Sequence, residues 1–309
     1  MMFDIERMQS MSNLDCFLHR TTPVVPSKFL QQNAIRNLNR LWNRCCDKEA
    51  VEYFSLSDLW NCYIEWSAYG VGVPIHLNDD DSLVQYYVPY LSAIQIFTSN
   101  NFREEIKCGD NETRDSLSDS YSDDSECDKI WSSLEEGESL WNLDERLGHL
   151  DFQYFEKSTP NERVPLIDKI NGLTERYSGL TSLKSVDLSP ASWMAVSWYP
   201  IYQIPVRRTI KDLSTCFLTY HTLSSSFQDM DRDDEMEGTQ EKKKKYEAIS
   251  LAPFGLATYK MQGSNLWVSG NCGTDQEKVV SLCSVADSWL KQLNVHHHDF
   301  NYFMGIRHG

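Results

Sequence analysis

The chain has 309 residues, 41% hydrophobic and 24% charged, an ordinary soluble composition with room for one large domain or two small ones. Its formal net charge of −16 is concentrated: Asn101 to Ser139 holds 13 acidic against 4 basic residues, and Phe227 to Glu247 holds 8 against 5. The remainder is close to neutral, which argues against nucleic acid as a partner, since that binding needs clustered Lys and Arg; no run reaches the roughly 18 to 20 uncharged apolar residues of a membrane span.

Residues 1–12 read as a flexible start. Asn13 to Pro26 reads as a docked segment whose Pro23 and Pro26 favour extended backbone. Lys28 to Cys46 carries helical spacing through Leu30, Ala34, Leu38, Leu41 and Cys45. Ser55 to Ser67 predicts a helix: Leu56, Leu59, Trp60, Tyr63 and Ile64 share one stripe, Ser55 and Asp58 have capping-box spacing, and Gly70 with Gly72 ends it. After a turn at Asn78 to Asp81, Leu83 to Phe97 is β-branched and aromatic enough to be extended, divided by Pro89. Leu150 to Phe155 alternates as its strand partner. Between these, Asn101 to Ser139 is too poor in apolar residues to offset a backbone ordering cost of roughly 1 to 2 kcal/mol per residue, so disorder is expected.

Glu162 to Tyr177 reads as a helix on Val164, Leu166, Ile167, Ile170 and Leu173, with Gly179 as its stop. The next segment, Asp187 to Pro205, has no charged side chain between Leu188 and Ile204. Alternation sends Met194, Val196 and Trp198 to one side and Trp193, Ala195 and Tyr199 to the other, so both faces must be covered and the strand is central. Cys216 to Leu223, Ile249 to Lys260 and Asn265 to Ser269 read as three further strands. Asp275 to Leu293 repeats Val279, Leu282, Cys283, Ala286, Trp289, Leu290 and Leu293 at helical spacing, with a capping box at Thr274 and Glu277. The fold expected is a single α+β domain over residues 13–303, an antiparallel sheet of about five or six strands with packed helices. Disordered charged loops at 101–139 and 224–248 interrupt it, and 304–309 is a flexible tail.

The nine cysteines are odd in number and lack CxxC spacing, and no apolar leader opens the sequence. Reduced thiols in a cytoplasmic or nuclear protein follow. No nucleophile motif, metal-ligand set or phosphate loop emerges, so no catalytic, cofactor-binding or metal residue is assigned. Val268 to Thr274 lacks the lysine and glycine spacing of an anion cradle, and Gly70-Val71-Gly72 runs into Pro74 rather than a helix. Cys216 and His221 fall on opposite faces of a strand. His296, His297 and His298 cannot converge on one ion. Asp151, Glu156, Asp168 and Asp187 read as caps or ion-pair members, and Lys242 to Lys245 either balances Asp231 to Glu237 or serves nuclear import.

Two sites remain. Ser116, Ser120 and Ser125 each precede an aspartate by three residues, the pattern of acid-directed kinases, and phosphate there would deepen the local charge. The tyrosine-rich end of the long strand suggests a ligand pocket near Asp187, Tyr199, Tyr202 and His221. The blocks TTPVVP (Thr21 to Pro26), YFSLSDLW (Tyr53 to Trp60), EWSAYGVGVP (Glu65 to Pro74), QYYVPYLSAIQI (Gln85 to Ile96), DLSPASWMAVSWYPIYQIP (Asp187 to Pro205), CFLTYHTL (Cys216 to Leu223) and DFNYF (Asp299 to Phe303) resemble a plant family, domain of unknown function 789. The resemblance implies a plant protein and carries no activity, cofactor or catalytic residue. The reading is an intracellular, non-enzymatic interaction or regulatory protein with a protein partner and a phosphorylatable acidic loop. The alternative is a small-molecule binder or enzyme built on the tyrosine pocket.

Overall fold

The computed structural model describes residues 11–31, 50–78, 81–99, 147–206, 211–225, 248–261, 266–268 and 274–305. The expected disordered stretch at 101–139 and most of that at 224–248 lie outside them. The frame is β5 (Asp81–Thr98), eighteen residues long. One of its edges pairs with β7 (Trp193–Ile204), from Val84 opposite Ile204 to Gln95 opposite Trp193. The other edge is shared between β4 (Val71–Asn78) and β6 (His149–Phe155). Beyond β7 come β8 (Cys216–Thr222) and β10 (Gly255–Tyr259), giving the order β10-β8-β7-β5-β4 with β6 also on β5. Every pairing is antiparallel, as the alternating sequence pattern requires. Pro89 does not divide β5. It sits in the interval between the β4 and β6 ladders, Val88 to Ser92, where one edge of the strand has no ladder to interrupt.

The alternation of β7 holds, and both of its faces are covered. On the first face Met194, Val196 and Trp198 join Phe217, Tyr87, Leu91 and Val73 in the larger core. Helix α1 (Asn13–Thr21) lies there, capped by Ser12, whose hydroxyl accepts from the Asp15 N–H at 3.1 Å. It buries Leu14, Cys16, Phe17 and Leu18, with Phe17 stacked on Phe217 at 3.9 Å. The sequence reading made this segment extended; only β1 (Val24–Pro26) is, pairing with β9 (Ala248–Ser250). Asn13 has a second task. Its amide accepts from the His76 N–H and donates to the His76 carbonyl, both at 2.8 Å, and also donates to Leu266 O at 2.7 Å, closing the outer edge of β4 as a strand rung would.

Several expected elements are corrected. Lys28–Gln31 is a strand, β2, rather than a helix start, because it pairs with β3 (Ala50–Tyr53), a long-range contact that overrides weak local spacing; residues 32–49 are outside the described set. Ser55 caps α2 (Leu56–Cys62) as its spacing predicts, but the helix breaks at Tyr63 and restarts as α3 (Ile64–Tyr69), which turns Ile64 to solvent. Gly70, at φ +79°, ends α3, whereas Gly72 belongs to β4. Helix α4 (Leu166–Thr174) starts after Pro165, leaving Val164 exposed, and Gly179 opens a further short helix, α5 (Gly179–Ser182), instead of stopping one. Leu266–Val268 is a turn with Trp267 buried, not a strand. Ser224 and Ser225 are buried, and Ser224 donates to Leu188 O at 3.0 Å, so the margin of the charged loop is part of the core.

The second face is covered by α6 (Thr274–Gln292) and α7 (His298–Phe303), whose Ala286, Leu290, Phe300 and Phe303 pack on Trp193, Ala195, Leu218, Tyr220 and Ala257. The approach is close at Gly255, where an added Cβ would lie 2.9 Å from the Ala286 methyl. Among the described residues no helix is long and apolar enough to cross a membrane.

Candidate functional site

Two bulges in the β5–β7 ladder build two contrasting places. In the first, Leu91 faces Val196 and Ala93 faces Ala195, so Ser92 is an extra residue on β5; Ser92 and Ala93 both face the second side, and the alternation after them is re-phased. In the second, Tyr87 faces Pro200 and Tyr86 faces Tyr202, so Ile201 is the extra residue on β7.

Ser92 is fully buried. Its hydroxyl lies 2.5 Å from Asp299 Oδ2 and 3.0 Å from His297 Nε2, and His297 Nδ1 lies 2.7 Å from the Tyr220 hydroxyl. Arg163 grips both oxygens of Asp299 at 2.7 Å, with side-chain exposures of 3% and 2%. Its Nε donates to Ser158 O and its Nη1 to Ser197 Oγ, each at 3.2 Å. Both Asp299 oxygens accept from Arg163, and Ser92 donates to Oδ2. The Ser92 oxygen then accepts from His297 Nε2–H, and Nδ1 accepts the Tyr220 phenol proton. Burial holds the His297 pKa down at about 4, against the pull of Asp299, so the ring is neutral and this order of donors is self-consistent.

The composition is that of a Ser-His-Asp set, but the polarity is opposite. A nucleophilic serine gives its proton to the histidine, and the acid orients the far ring nitrogen. Here the histidine donates to the serine, the carboxylate takes the serine proton, and a tyrosine holds the far nitrogen. The arrangement anchors α7 to the sheet. Glu156 beside it is similarly satisfied: burial pushes its carboxyl up, but the Ser158 N–H, the Tyr154 hydroxyl and Lys169 outweigh that and hold it at about 2. Tyr199, whose ring lies 5.9 Å from the Arg163 guanidinium, has a buried hydroxyl with no hydrogen-bond partner.

The expected pocket of Asp187, Tyr199, Tyr202 and His221 does not form. Tyr199 packs on Phe303 on the second face, whereas His221 is buried on the first, against Leu251 O at 2.8 Å and Thr219 Oγ1 at 2.9 Å, so the sheet lies between them. Burial holds His221 down at about 4. Asp187 precedes β7 and accepts from the Lys184 N–H at 2.9 Å, and Leu188 beside it bridges to Thr98. Tyr202 is nine residues along β7 from Trp193, roughly 30 Å away. Cys216 and His221 do fall on opposite faces, and burial pushes the Cys216 thiol up to about 11. His297 belongs to the buried network, His298 points to solvent, and His296 lies 3.4 Å from Asn301. Asp151 accepts from the Thr98 hydroxyl and Asp168 is exposed. Among the described residues no group of three or more His, Cys, Asp or Glu could hold a metal. Ser116, Ser120, Ser125, Lys242 to Lys245 and most of Val268 to Thr274 lie outside the described residues.

The second bulge makes an open surface. The helices cover the second face as far as Tyr199, whose ring meets Phe303 at 6.2 Å. Beyond it Tyr202 stacks on Tyr86 at 4.4 Å and donates to Tyr69 O at 3.2 Å. The bulged Ile201 sits against Gly70, where a Cβ would lie 3.1 Å from its Cδ1. Tyr69, Ile201, Tyr202, Ile204 and Val206 are 73%, 47%, 45%, 54% and 87% exposed, the first four on or beside this end of the sheet and Val206 just past it. Sequence reading placed Tyr202 in a site but missed Tyr69, Tyr86, Ile201 and Ile204, and missed Ser92, Arg163, His297 and Asp299 as a group. Arg163 and Asp299 are 136 residues apart, a pairing no spacing reveals.

A family model described as "Protein of unknown function (DUF789)" matches residues 12–303. No curated protein matches, and no solved structure matches.

Proposed function

The chain belongs to the DUF789 family, and from the geometry of the open sheet end we propose that it is a non-enzymatic interaction protein whose protein partner docks on Tyr69, Tyr86, Ile201, Tyr202, Ile204 and Val206. The observation that carries this reading is the contrast between the two bulges. The polar groups best suited to chemistry are buried and mutually satisfied, while large apolar side chains gather on the surface, as interaction sites do. The acidic stretch from Asn101 to Ser139 is the regulatory half of the proposal: phosphate on Ser116, Ser120 and Ser125 would raise its negative charge. A plant source is supported by the aromatic blocks, and a cytoplasmic or nuclear location by the free thiols of Cys16, Cys62, Cys216 and Cys283.

A photo-crosslinking residue placed at Ile204, with Val280 on α6 as the control position, tests the docking surface in living cells. We expect a discrete protein adduct from position 204 and none from 280. Adducts from 280 alone would overturn the assignment. Incubation of the purified chain with an acid-directed kinase should add up to three phosphates, localised by fragment mass to the three serines.

A further inference from the structure

We propose that Thr159 is a phosphorylation site for a proline-directed Ser/Thr kinase, and that the phosphate competes with Asp299 for Arg163 and so releases α7 from the sheet. The site lies on the loop joining β6 to α4 and stands independently of the docking surface.

The sequence holds three Ser/Thr-Pro dipeptides, at Thr22, Thr159 and Ser189. The fold closes two of them. Ser189 is fully buried, its hydroxyl accepting from the Ala191 N–H at 3.2 Å, and Thr22 is engaged in closing α1, donating to Leu18 O at 2.6 Å. Thr159 is exposed, together with Lys157, Pro160, Asn161 and Glu162. Pro160 keeps the residue before it extended, and Thr159 has φ −64° and ψ 155°, the extended form in which a kinase cleft takes its substrate. Its hydroxyl donates to Glu162 Oε2 at 3.1 Å, a bond at the surface, so no buried partner has to be given up. In the transfer the Thr159 oxygen bonds to the γ-phosphorus of a nucleoside triphosphate and the bond from that phosphorus to its bridging oxygen breaks. The nucleoside diphosphate leaves, and the hydroxyl proton passes to the carboxylate base of the kinase.

What the loop holds decides the consequence. The Ser158 carbonyl that accepts from Arg163 Nε at 3.2 Å belongs to the peptide link into Thr159, so the guanidinium lies one peptide unit from the new phosphate. The loop is closed by the Glu162 N–H on Thr159 O at 3.0 Å, and from it Arg163 reaches both oxygens of Asp299 at 2.7 Å. Phosphothreonine acts on both contacts. Its charge of about −2 faces the Glu162 carboxylate that the hydroxyl had bonded, which opposes the turn, and it offers a guanidinium a bidentate acceptor. Lys157, exposed beside it, and Lys169, at 3.3 Å from Glu156 Oε2, are the other cations near the loop; as point charges they do not match the fork of Arg163. Once Arg163 turns outward, Asp299 keeps Ser92 as its donor, and a buried carboxylate so stripped favours the form in which α7 lifts and water reaches it. Because the phosphate bonds Arg163 in the lifted form and repels Glu162 in the seated one, it shifts the population toward release.

The test is incubation of the purified full chain with a proline-directed kinase, magnesium and ATP, followed by fragment mass, amide exchange and phosphorus NMR. We expect a phosphate on Thr159, absent from Thr159→Ala, and exchange at residues 298–303 roughly tenfold faster in the phosphorylated protein than in the unmodified one. The titration midpoint of the phosphate should fall about half a pH unit below that of a synthetic phosphopeptide of residues 155–162, because a paired guanidinium favours the dianion. In Arg163→Met/Asp299→Leu the modification should leave exchange at 298–303 unchanged, which assigns the effect to the clamp. The comparison of modified with unmodified wild type does not depend on that variant folding. The proposal is overturned if Thr159 stays unmodified, if exchange at 298–303 does not move, if the midpoint matches that of the free peptide, or if the double variant responds as the wild type does.

Discussion

Removal of the Asp299 carboxylate gives the most direct measure of the buried network. In Asp299→Leu, Arg163 keeps its bonds to Ser158 O and Ser197 Oγ but becomes an uncompensated charge at 3% side-chain exposure. Breaking such a pair costs roughly 3 to 5 kcal/mol, and the Ser92 hydroxyl, left without an acceptor, adds about 1 kcal/mol. Arg163→Met should be similarly damaging, because it leaves a buried carboxylate with Ser92 as its remaining donor. The double variant Arg163→Met/Asp299→Leu carries no buried charge, and replacing a buried pair with apolar groups is often neutral or stabilising. Its loss should therefore be at least 2 kcal/mol smaller than the sum of the two single losses. Urea unfolding followed by tryptophan emission measures all four proteins. A double variant whose loss equals the sum would mean that Arg163 and Asp299 act independently, and the anchoring argument would fail.

Acid should unfold the protein through its histidines. His221 and His297 are both held down at about 4 by burial, against about 6.5 in an unfolded chain. Because the unfolded state binds their protons first, the stability they contribute is complete above pH 6.5 and is lost as pH falls toward 4. The loss is on the order of 3 kcal/mol for each, and urea midpoints that stay level from pH 7.5 to 4.5 would contradict it. Glu156 acts in a lower window, its contribution present above about 4.3 and lost toward its folded value of about 2, so Glu156→Gln should flatten only that part of the profile. Trp198→Ala empties a fully buried site and removes the indole bond to Thr219; a loss of roughly 3 to 5 kcal/mol is expected, and an unchanged melting midpoint would deny it a core position. Gly255→Ala should cost about 1 to 3 kcal/mol by overpacking against Ala286, and Ala286→Gly in the same chain should recover only part of the lost melting temperature, because a glycine inside α6 itself costs about 1 kcal/mol.

The parts of the fold legible in the sequence are those whose signal is local and doubled. Trp193 to Trp198 could be placed at the centre of the sheet because both parities are apolar, and α2 because its cap residue and its stripe agree. β4 was hidden because Gly72 and Pro74 break a strand pattern. The structure supplies the reason for Gly72, where a Cβ would lie 2.9 Å from a Val84 methyl and 3.3 Å from the Tyr86 ring. That is a demand of the neighbouring strand, which local propensity does not record. α1 was missed because nine residues with two central polar positions carry too short a period to outweigh the prolines that follow. The expected pocket failed for a related reason: its four residues were gathered by proximity in sequence, and only the register that sets Met194 opposite His221 reveals that the sheet divides them.

The bulges were the least legible features and matter most for function, since one inserted residue re-phases all that follows. Without the insertion at Ile201, unbroken alternation would send Tyr202 and Ile204 to the first face with Trp198; with it they share the second face with Tyr199 and Tyr86. The same logic ties the buried network to the open surface. Helix α7 ends its cover at Tyr199 because Asp299, fixed by Ser92 and Arg163, determines where Phe300 and Phe303 land. Loosening that anchor would uncover Ala195 and Trp193 and lengthen the apolar surface toward the middle of the sheet. The first bulge, by fixing the serine that receives α7, therefore sets the boundary of the surface that the second bulge presents.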